Sequence, residues 1–421
     1  MRIEIICTGD EILSGKIVNT NYAYISRRLD EVGLDVVWGT TVGDDRDNLL
    51  ASFLAAGERA DAVIVNGGLG PTVDDLSQEI AAKAAGDILA LNTEWLGRME
   101  AFFLGRGREM PANNRKQAML PQSSEMIDNP VGTACGFALN IGKARFFFTP
   151  GVPRELYRML NDELIPRLTE MRGGSTLHQL KRFHSFGIGE SRADRLLEDV
   201  VNLAPNGSVK LGFQAHYPQL ETKLAVRGSS EEDILRNLEP VETEVRNRLG
   251  SFVFAEDDST LEGVVLDHLG MRGQTISVCE LGTNGLIASR LTQHDEDGKV
   301  FRRGLLGGSL EEIFKALGLN NETEKMMPET AKLTAGAFSK LTGSTHCLSV
   351  QVKHNPAQPG KRASGTIAVA LAQPDGILLR QSEIIGDAHR VRLGAVELGL
   401  DYLRRVLHLL PLDERSDFEK S

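Results

Sequence analysis

The segment of this chain best suited to chemistry is Asn66-Gly67-Gly68-Leu69-Gly70-Pro71-Thr72-Val73-Asp74-Asp75. It follows an apolar run at 62–65 and precedes a stretch with Leu76, Ile80 and Ala84 on one helical face. Glycines let a backbone approach a ligand closely and adopt positive φ. The helix start beyond them offers unpaired N–H groups to an anion. Asp74 and Asp75 would repel a bare phosphate, but they could hold a divalent ion that bridges to it. The alternative is that both acids cap the helix and complement its dipole.

A second polar segment runs from Thr8 and Gly9 through Asp10 and Glu11 to Asn21. It follows the opening apolar run, which contains Ile3, Ile5 and Ile6, and so should emerge at the same sheet edge as the Gly67 turn. Its acids extend the candidate metal site, with Asp10, Asp74 and Asp75 as ligands and Glu11 as a further catalytic carboxylate. Thr20 or Asn21 would otherwise serve as a helix cap. Arg115 and Lys116 would either clamp a phosphate or form a solvated surface pair. Gly132 and Thr133, in the stretch 129–137, and Thr149, Pro150 and Gly151 supply small groups to the same ligand. Cys135, among small residues, reads as packed rather than reactive.

These segments need strands to carry them. Residues 1–172 alternate short apolar runs with amphipathic stretches, the pattern of an α/β domain with a parallel sheet. Gly173-Gly174-Ser175 reads as a linker. Residues 176–256 read as a small α+β unit, and 258–412 as a second α/β region. The polar tail, 413–421, should fray.

A chain of 421 residues suggests two or three domains. It carries 41% hydrophobic and 25% charged residues, as soluble globular proteins do. A formal net charge of −11 with no basic run argues against nucleic acid as a partner. No apolar run reaches membrane-spanning length, and the start lacks a signal-peptide pattern, so no membrane association is expected. Cys7, Cys135, Cys279 and Cys347 are widely spaced and form no CxxC pair, which favours a reducing cytoplasm.

Taken together, GDEILSGKIVNTN, NGGLGPTVDD, NRKQAMLP, NPVGTACGF and FFTPGVPRE resemble the CinA (competence/damage-inducible protein A) family in order and spacing. The resemblance implies an N-terminal three-layer domain of the molybdenum-cofactor-biosynthesis, or molybdopterin-binding, type. It also implies a small middle domain and a C-terminal domain like the family's nicotinamide mononucleotide deamidase. A homodimer is implied as well, with a divalent metal (Mg²⁺, Mn²⁺ or Co²⁺) and K⁺ as a further ion. On this pattern Gly67, Gly68, Leu69, Gly70, Pro71, Thr72, Asp74 and Asp75 fall in the ligand loop.

In the C-terminal region the family carries Ala-Glu-Ser-Cys-Thr-Gly-Gly, with a nucleophilic serine. Here the segment is Cys279-Glu280-Leu281-Gly282-Thr283-Asn284-Gly285. The family's tyrosine and lysine positions align with Gly308 and Ile313. Amide hydrolysis needs an attacking hydroxyl and a group to take its proton. The expectation is therefore that this domain folds but does not deamidate, with Thr283 or Ser289 as the alternative nucleophiles.

Two functions follow. One is metal-dependent hydrolysis of the ADP-ribose pyrophosphate bond, giving AMP and ribose-5-phosphate, in the N-terminal domain. The other is non-catalytic binding of a pterin or nucleotide by a regulatory protein.

Overall fold

A computed structural model describes residues 1–173, 177–320, 327–414 and 416–419. The chain divides into two compact units, Met1–Gln179 and Leu180–Ser421. Of the expected linker, Gly174 and Ser175 lie outside the described residues, while Gly173 follows the helix Ile165–Arg172 with φ 64°.

The first unit is built on a six-stranded sheet. In spatial order its strands are Val36–Val42, Ile3–Thr8, Ala62–Asn66, Ala144–Thr149, Gly136–Ile141 and Glu125–Ile127. The first four run parallel and the last two antiparallel to their neighbours. Alternation assigns the faces. Ile3, Ile5 and Cys7 join Ile25, Leu29 and Leu156 on one side. Ile6, Val63 and Val65 join Phe53, Ile80 and Trp95 on the other. Helices cover both faces, giving the expected three layers.

Local chemistry sets where the helices begin. The side chain of Asn19, rather than Thr20 or Asn21, caps the helix Thr20–Glu31 by accepting from the Tyr22 amide at 3.0 Å. Asn21 is thereby free for another task. Asp45 caps the helix Arg46–Arg59 in the same way. Parallel connection leaves the carboxyl ends of Ile3–Thr8, Ala62–Asn66 and Ala144–Thr149 at one edge of the sheet. The Thr8, Gly67 and Pro150 loops all leave from there.

In the second unit a four-stranded sheet (order Val209–His216, Gln219–Gly228, Leu177–Phe186, Val253–Glu256) packs against Glu190–Leu197 and Glu231–Leu249. A five-stranded sheet follows, ordered Phe301–Gly307, Ile276–Leu281, His346–Asn355, Ser364–Gln373 and Gly376–Ile385. The helices Leu261–Met271, Leu286–His294 and Ala388–Leu407 lie on one side of its core, and Met327–Thr342 on the other. Phe186 and Phe254, from the small sheet, belong to the larger core with Leu261 and Leu348. The middle and C-terminal segments therefore share apolar packing.

The tail corrects the expectation of fraying. Arg380 donates to the Glu414 carbonyl at 3.1 Å and pairs with Glu419 at 2.6 Å. Asp417 accepts from the Gly189 amide at 2.8 Å and from Arg192 at 2.9 Å. Phe418 lies against Phe186 and Tyr217. Among the tail's described residues, Glu414, Asp417 and Glu419 make specific pairs rather than pointing to solvent.

Candidate functional site

Three adjacent strand ends build a cavity of about 770 Å³ in the first unit. Its floor is the turn after Ala62–Asn66. Gly67 and Gly68 have φ of 113° and 69°, which a side-chain-bearing residue rarely adopts. The Gly67 amide donates to the Thr149 carbonyl at 3.0 Å. The Ser77 hydroxyl and amide return to the carbonyls of Gly67 and Gly68 at 2.9 and 3.1 Å. Those bonds hold the turn's carbonyls away from the cavity. Among the described residues, the amides of Gly68, Leu69 and Gly70 donate no hydrogen bond.

Asn66 ties the three loops together. Buried at 2% exposure, it donates to the Pro150 carbonyl at 2.7 Å and to Thr149 Oγ1 at 3.2 Å. It accepts from Asn21 Nδ2 at 2.9 Å, and Asn21 also donates to the Gly151 carbonyl at 2.8 Å. Two polar atoms remain buried without a protein partner on this wall, Thr8 Oγ1 and Asn21 Oδ1. An unmet buried group is costly, so both are suited to a ligand.

Most of the expected ligand residues face this cavity: Thr8, Gly9, Asn21, Gly67, Gly68, Leu69, Gly70, Pro71 and Thr72, with Thr133, Pro150 and Gly151 from the neighbouring loops. Glu11, Asp74 and Asp75 face it too. Four expected residues do not line it. Arg115 is exposed outside it; it is the neighbouring Lys116 that reaches the turn, donating to the Thr72 carbonyl. Gly132 is pressed against the Glu155 carboxylate, where a Cβ would collide. Thr149 is fully buried behind Asn66 and donates to the Val65 carbonyl at 3.1 Å.

Asp10 turns toward the next loop. Its carboxylate accepts from the Asp44 amide, and its amide donates to the Asp44 carboxylate, both at 3.2 Å.

The expected metal set is not assembled. Among the described residues, no three His, Cys, Asp or Glu side chains converge to hold an ion. Asp10 is engaged with Asp44. Asp75 closes its own turn, accepting from the Thr72 amide and hydroxyl at 2.8 and 2.6 Å. Asp10 and Asp75 shape loops instead, and neither Asp74 nor Asp75 caps the helix Ser77–Ala85, whose start carries no side-chain cap bond.

Composition alone did not single out Asp44 or Glu155. Burial pushes the Asp44 carboxyl above the usual range. A bond from the Asp10 amide opposes the rise, and the charges of Asp10, Glu11 and Asp74 add to it. Burial likewise raises Glu155, against a 2.6 Å hydrogen bond from Asn129. The signal available for Glu155 was its place just after Pro150-Gly151. Asp44, two residues past Val42 at a sheet edge, carried none.

The C-terminal domain has a comparable strand–turn–helix at Ile276–Leu281 and Leu286–His294. Glu280, at 1% exposure, accepts from Thr283 Oγ1 at 2.6 Å and from the amides of Ile287 and Ala288 at 3.2 and 2.8 Å. Thr283 is fully buried and Ser289 exposed. Ser309, beside Gly308, forms a capping box with Glu312 at the start of Leu310–Ala316.

Three family models cover the chain in turn. They are the probable molybdopterin binding domain over 4–170, the damage-inducible protein CinA KH domain over 180–255, and the CinA C-terminal domain over 258–407. A CinA-like protein of Shewanella sediminis is 38% identical over 414 residues, covering 97% of this chain and 96% of its own. The chain belongs to the CinA family.

Another relative, from Shewanella oneidensis, is 36% identical over 413 residues, with 97% and 96% of the two chains covered. Its name is nicotinamide-nucleotide amidohydrolase PncC. Among solved structures, the CinA protein of Thermoplasma acidophilum is 36% identical and covers 39% of this chain and 96% of its own, at a TM-score of 0.37. CinA family membership and the three-part fold thus agree with the resemblance read from the sequence.

The expected enzyme class does not stand. The chain was read as an ADP-ribose pyrophosphatase without deamidase activity, yet a relative aligned along nearly its whole length is named for amide hydrolysis of a nicotinamide nucleotide. The pyrophosphatase reading rested on treating Asp10, Asp74 and Asp75 as metal ligands, and two of these are committed to loop closure.

Proposed function

We propose that this CinA-family protein binds a phosphorylated, nucleotide-like small molecule in its N-terminal cavity. The phosphate would lie on the amides of Gly68, Leu69 and Gly70. The observation that carries this is the set of unengaged amides at a strand–helix turn, inside a cavity large enough for a nucleotide. Thr8 Oγ1 and Asn21 Oδ1 offer further polar contacts.

The wall chemistry adds a condition. Glu11, Asp44, Asp74, Asp75 and Glu155 line the cavity, and no Lys, Arg or His is among its described lining residues. An anion entering such a field is repelled unless a cation accompanies it. A divalent ion such as Mg²⁺, Mn²⁺ or Co²⁺, with K⁺ as a further ion, is part of the proposal. Mg²⁺ commonly takes one or two carboxylates together with ligand phosphates, and Glu11 and Asp74 are the lining carboxylates not engaged by the Asp10–Asp44 pair, the Thr72 turn or Asn129. A homodimer and a cytoplasmic location belong to the same reading. The first rests on the family resemblance, the second on four buried free thiols and the absence, among the described residues, of a helix long and apolar enough to cross a membrane.

The name of the Shewanella oneidensis relative favours a second reading, hydrolysis of a nicotinamide nucleotide's amide by the C-terminal domain. Both readings share a phosphorylated ribonucleotide as ligand.

Calorimetry on the full-length protein tests the first reading, using AMP, ADP-ribose and nicotinamide mononucleotide with and without Mg²⁺ or Mn²⁺. Saturable binding that strengthens with the ion is expected. No heat from any of the three, with or without ion, would remove the reading. Chromatography of the mononucleotide reaction, looking for the deamidated product, decides the second.

A further inference from the structure

We infer that Glu155 sets ligand choice in this cavity by accepting a hydrogen bond from a ribose hydroxyl of the bound nucleotide. The inference rests on the N-terminal cavity being a nucleotide site.

Glu155 is a built acceptor rather than a surface acid. Its carboxylate faces the cavity and abuts the backbone of Gly132, where any side chain would displace it. Asn129, only 3% exposed, fixes its orientation. One Asn129 N–H goes to the Ala134 carbonyl at 2.9 Å and the amide group also donates to Glu155 Oε2 at 2.6 Å. The Asn129 oxygen accepts from the Val131 amide at 3.3 Å. With its amide engaged on both sides, Asn129 holds Oε2 in place. Oε1 has no partner among the described residues, and no cation pairs with the carboxylate. Oε1 is not among the atoms buried without a partner, so it opens to the cavity, where a ligand donor would take the place of water.

Position selects the kind of donor. Glu155 lies in the first turn of the helix Pro153–Met159, four residues after Gly151. A Cβ on Gly151 would stand 3.7 Å from Gly67 Cα, so this loop borders the phosphate turn directly. In a nucleotide the group covalently next to the phosphate is the sugar. The donors nearest the anion are therefore ribose hydroxyls, while the amino groups of a base lie further out. The outer rim suits a base. Ile17, Val18 and Val152 line the cavity while remaining 57%, 80% and 52% exposed, an apolar edge with no protein partner to cover it.

The experiment compares AMP with 2′-deoxy-AMP and 3′-deoxy-AMP by calorimetry on full-length protein, with Mg²⁺ present throughout. Hydrogen bonds to charged groups support a preference for AMP over one deoxy analogue of roughly tenfold or more. In Glu155→Ala that ratio should fall to within about threefold, with affinity for the disfavoured analogue little changed. Glu155→Gln, which keeps the shape but loses the charge, should lie between them. If Glu155→Ala does not fold, Glu155→Gln decides the matter through a ratio at least about threefold below wild type. A purely structural role would weaken all three ligands together and leave the ratio intact. That outcome, or a wild type that does not discriminate among the three, overturns the role of Glu155 alone. A wild type that binds none of them overturns the cavity reading and this inference with it.

Discussion

The two strand–turn–helix corners of this protein use the same backbone device and leave it in opposite states. After Ala62–Asn66, glycines at positive φ present the amides of Gly68, Leu69 and Gly70 to an open cavity. After Ile276–Leu281, the helix start is already occupied, because Glu280 takes the amides of Ile287 and Ala288 together with the Thr283 hydroxyl. One corner awaits an anion and the other carries its own. A strand–helix corner is thus a ligand site only when no side chain of the chain has satisfied its amides first.

The largest effect should come from emptying the closed corner. Glu280→Ala strands two amides and a hydroxyl in a region where Glu280 and Thr283 are 1% and 0% exposed. A loss of about 3 kcal/mol in urea unfolding is expected. A loss under about 1 kcal/mol would mean that the corner is not closed by this carboxylate.

Blocking the open corner should matter less to stability and more to binding. Gly68→Ala forces a left-handed residue at φ 69° and drives Cβ into the Ser77 side chain. About 1–2 kcal/mol of destabilisation is expected, with at least about tenfold weaker AMP binding. Full affinity in this variant would show that the phosphate lies elsewhere.

The smallest effect concerns charge around the open corner. Asp44 and Glu155 both have raised carboxyl values, so they take up protons earlier on acidification than ordinary acids. Protonation removes negative charge from the wall. Sulfate, whose own charge stays constant, should therefore bind a few-fold tighter at about pH 5 than at about pH 8. Weaker sulfate binding at the lower pH would contradict the repulsive wall. The closed corner offers sulfate nothing at either pH.

How much of this was legible beforehand depended on range. The Gly67 turn was readable because apolar strand, glycines and helix follow each other within twenty residues, and that local order dictates the geometry. The α/β class with a parallel sheet was readable for the same reason, from alternating periodicities, while the three layers were what the family resemblance implied. The fate of Asp10 was not readable, whereas that of Asp75, whose partner Thr72 lies three residues back, was within local reach and was missed. Whether an acid points into a cavity or back to its own loop depends on a neighbour such as the Asp44 amide, 34 positions away. Thr20 or Asn21 was the alternative cap; Asn19 takes that place, which leaves Asn21, an expected ligand residue, to line the cavity. The partner of Asn21, Asn66, is 45 residues distant. Glu155 went unnoticed for want of its holder, Asn129, 26 residues before it. The tail misled most, since its polar residues look solvated until Arg380 and Gly189 are brought to them.

That tail changes what counts as a separable piece. Asp417 bonds the start of Glu190–Leu197 in the small sheet domain, while Glu419 pairs with Arg380 on the large sheet. Arg404, anchored on Asp401, reaches back to the Ser251 carbonyl at 2.6 Å. Family boundaries near residue 256 therefore mark ancestry more than autonomy. Cutting the gene there would expose Phe186 and Phe254 on one fragment and take the Ser251 and Val253 carbonyls from Arg404 on the other. The fragment 180–255 should express as aggregate, whereas 180–421 should melt as a single cooperative block.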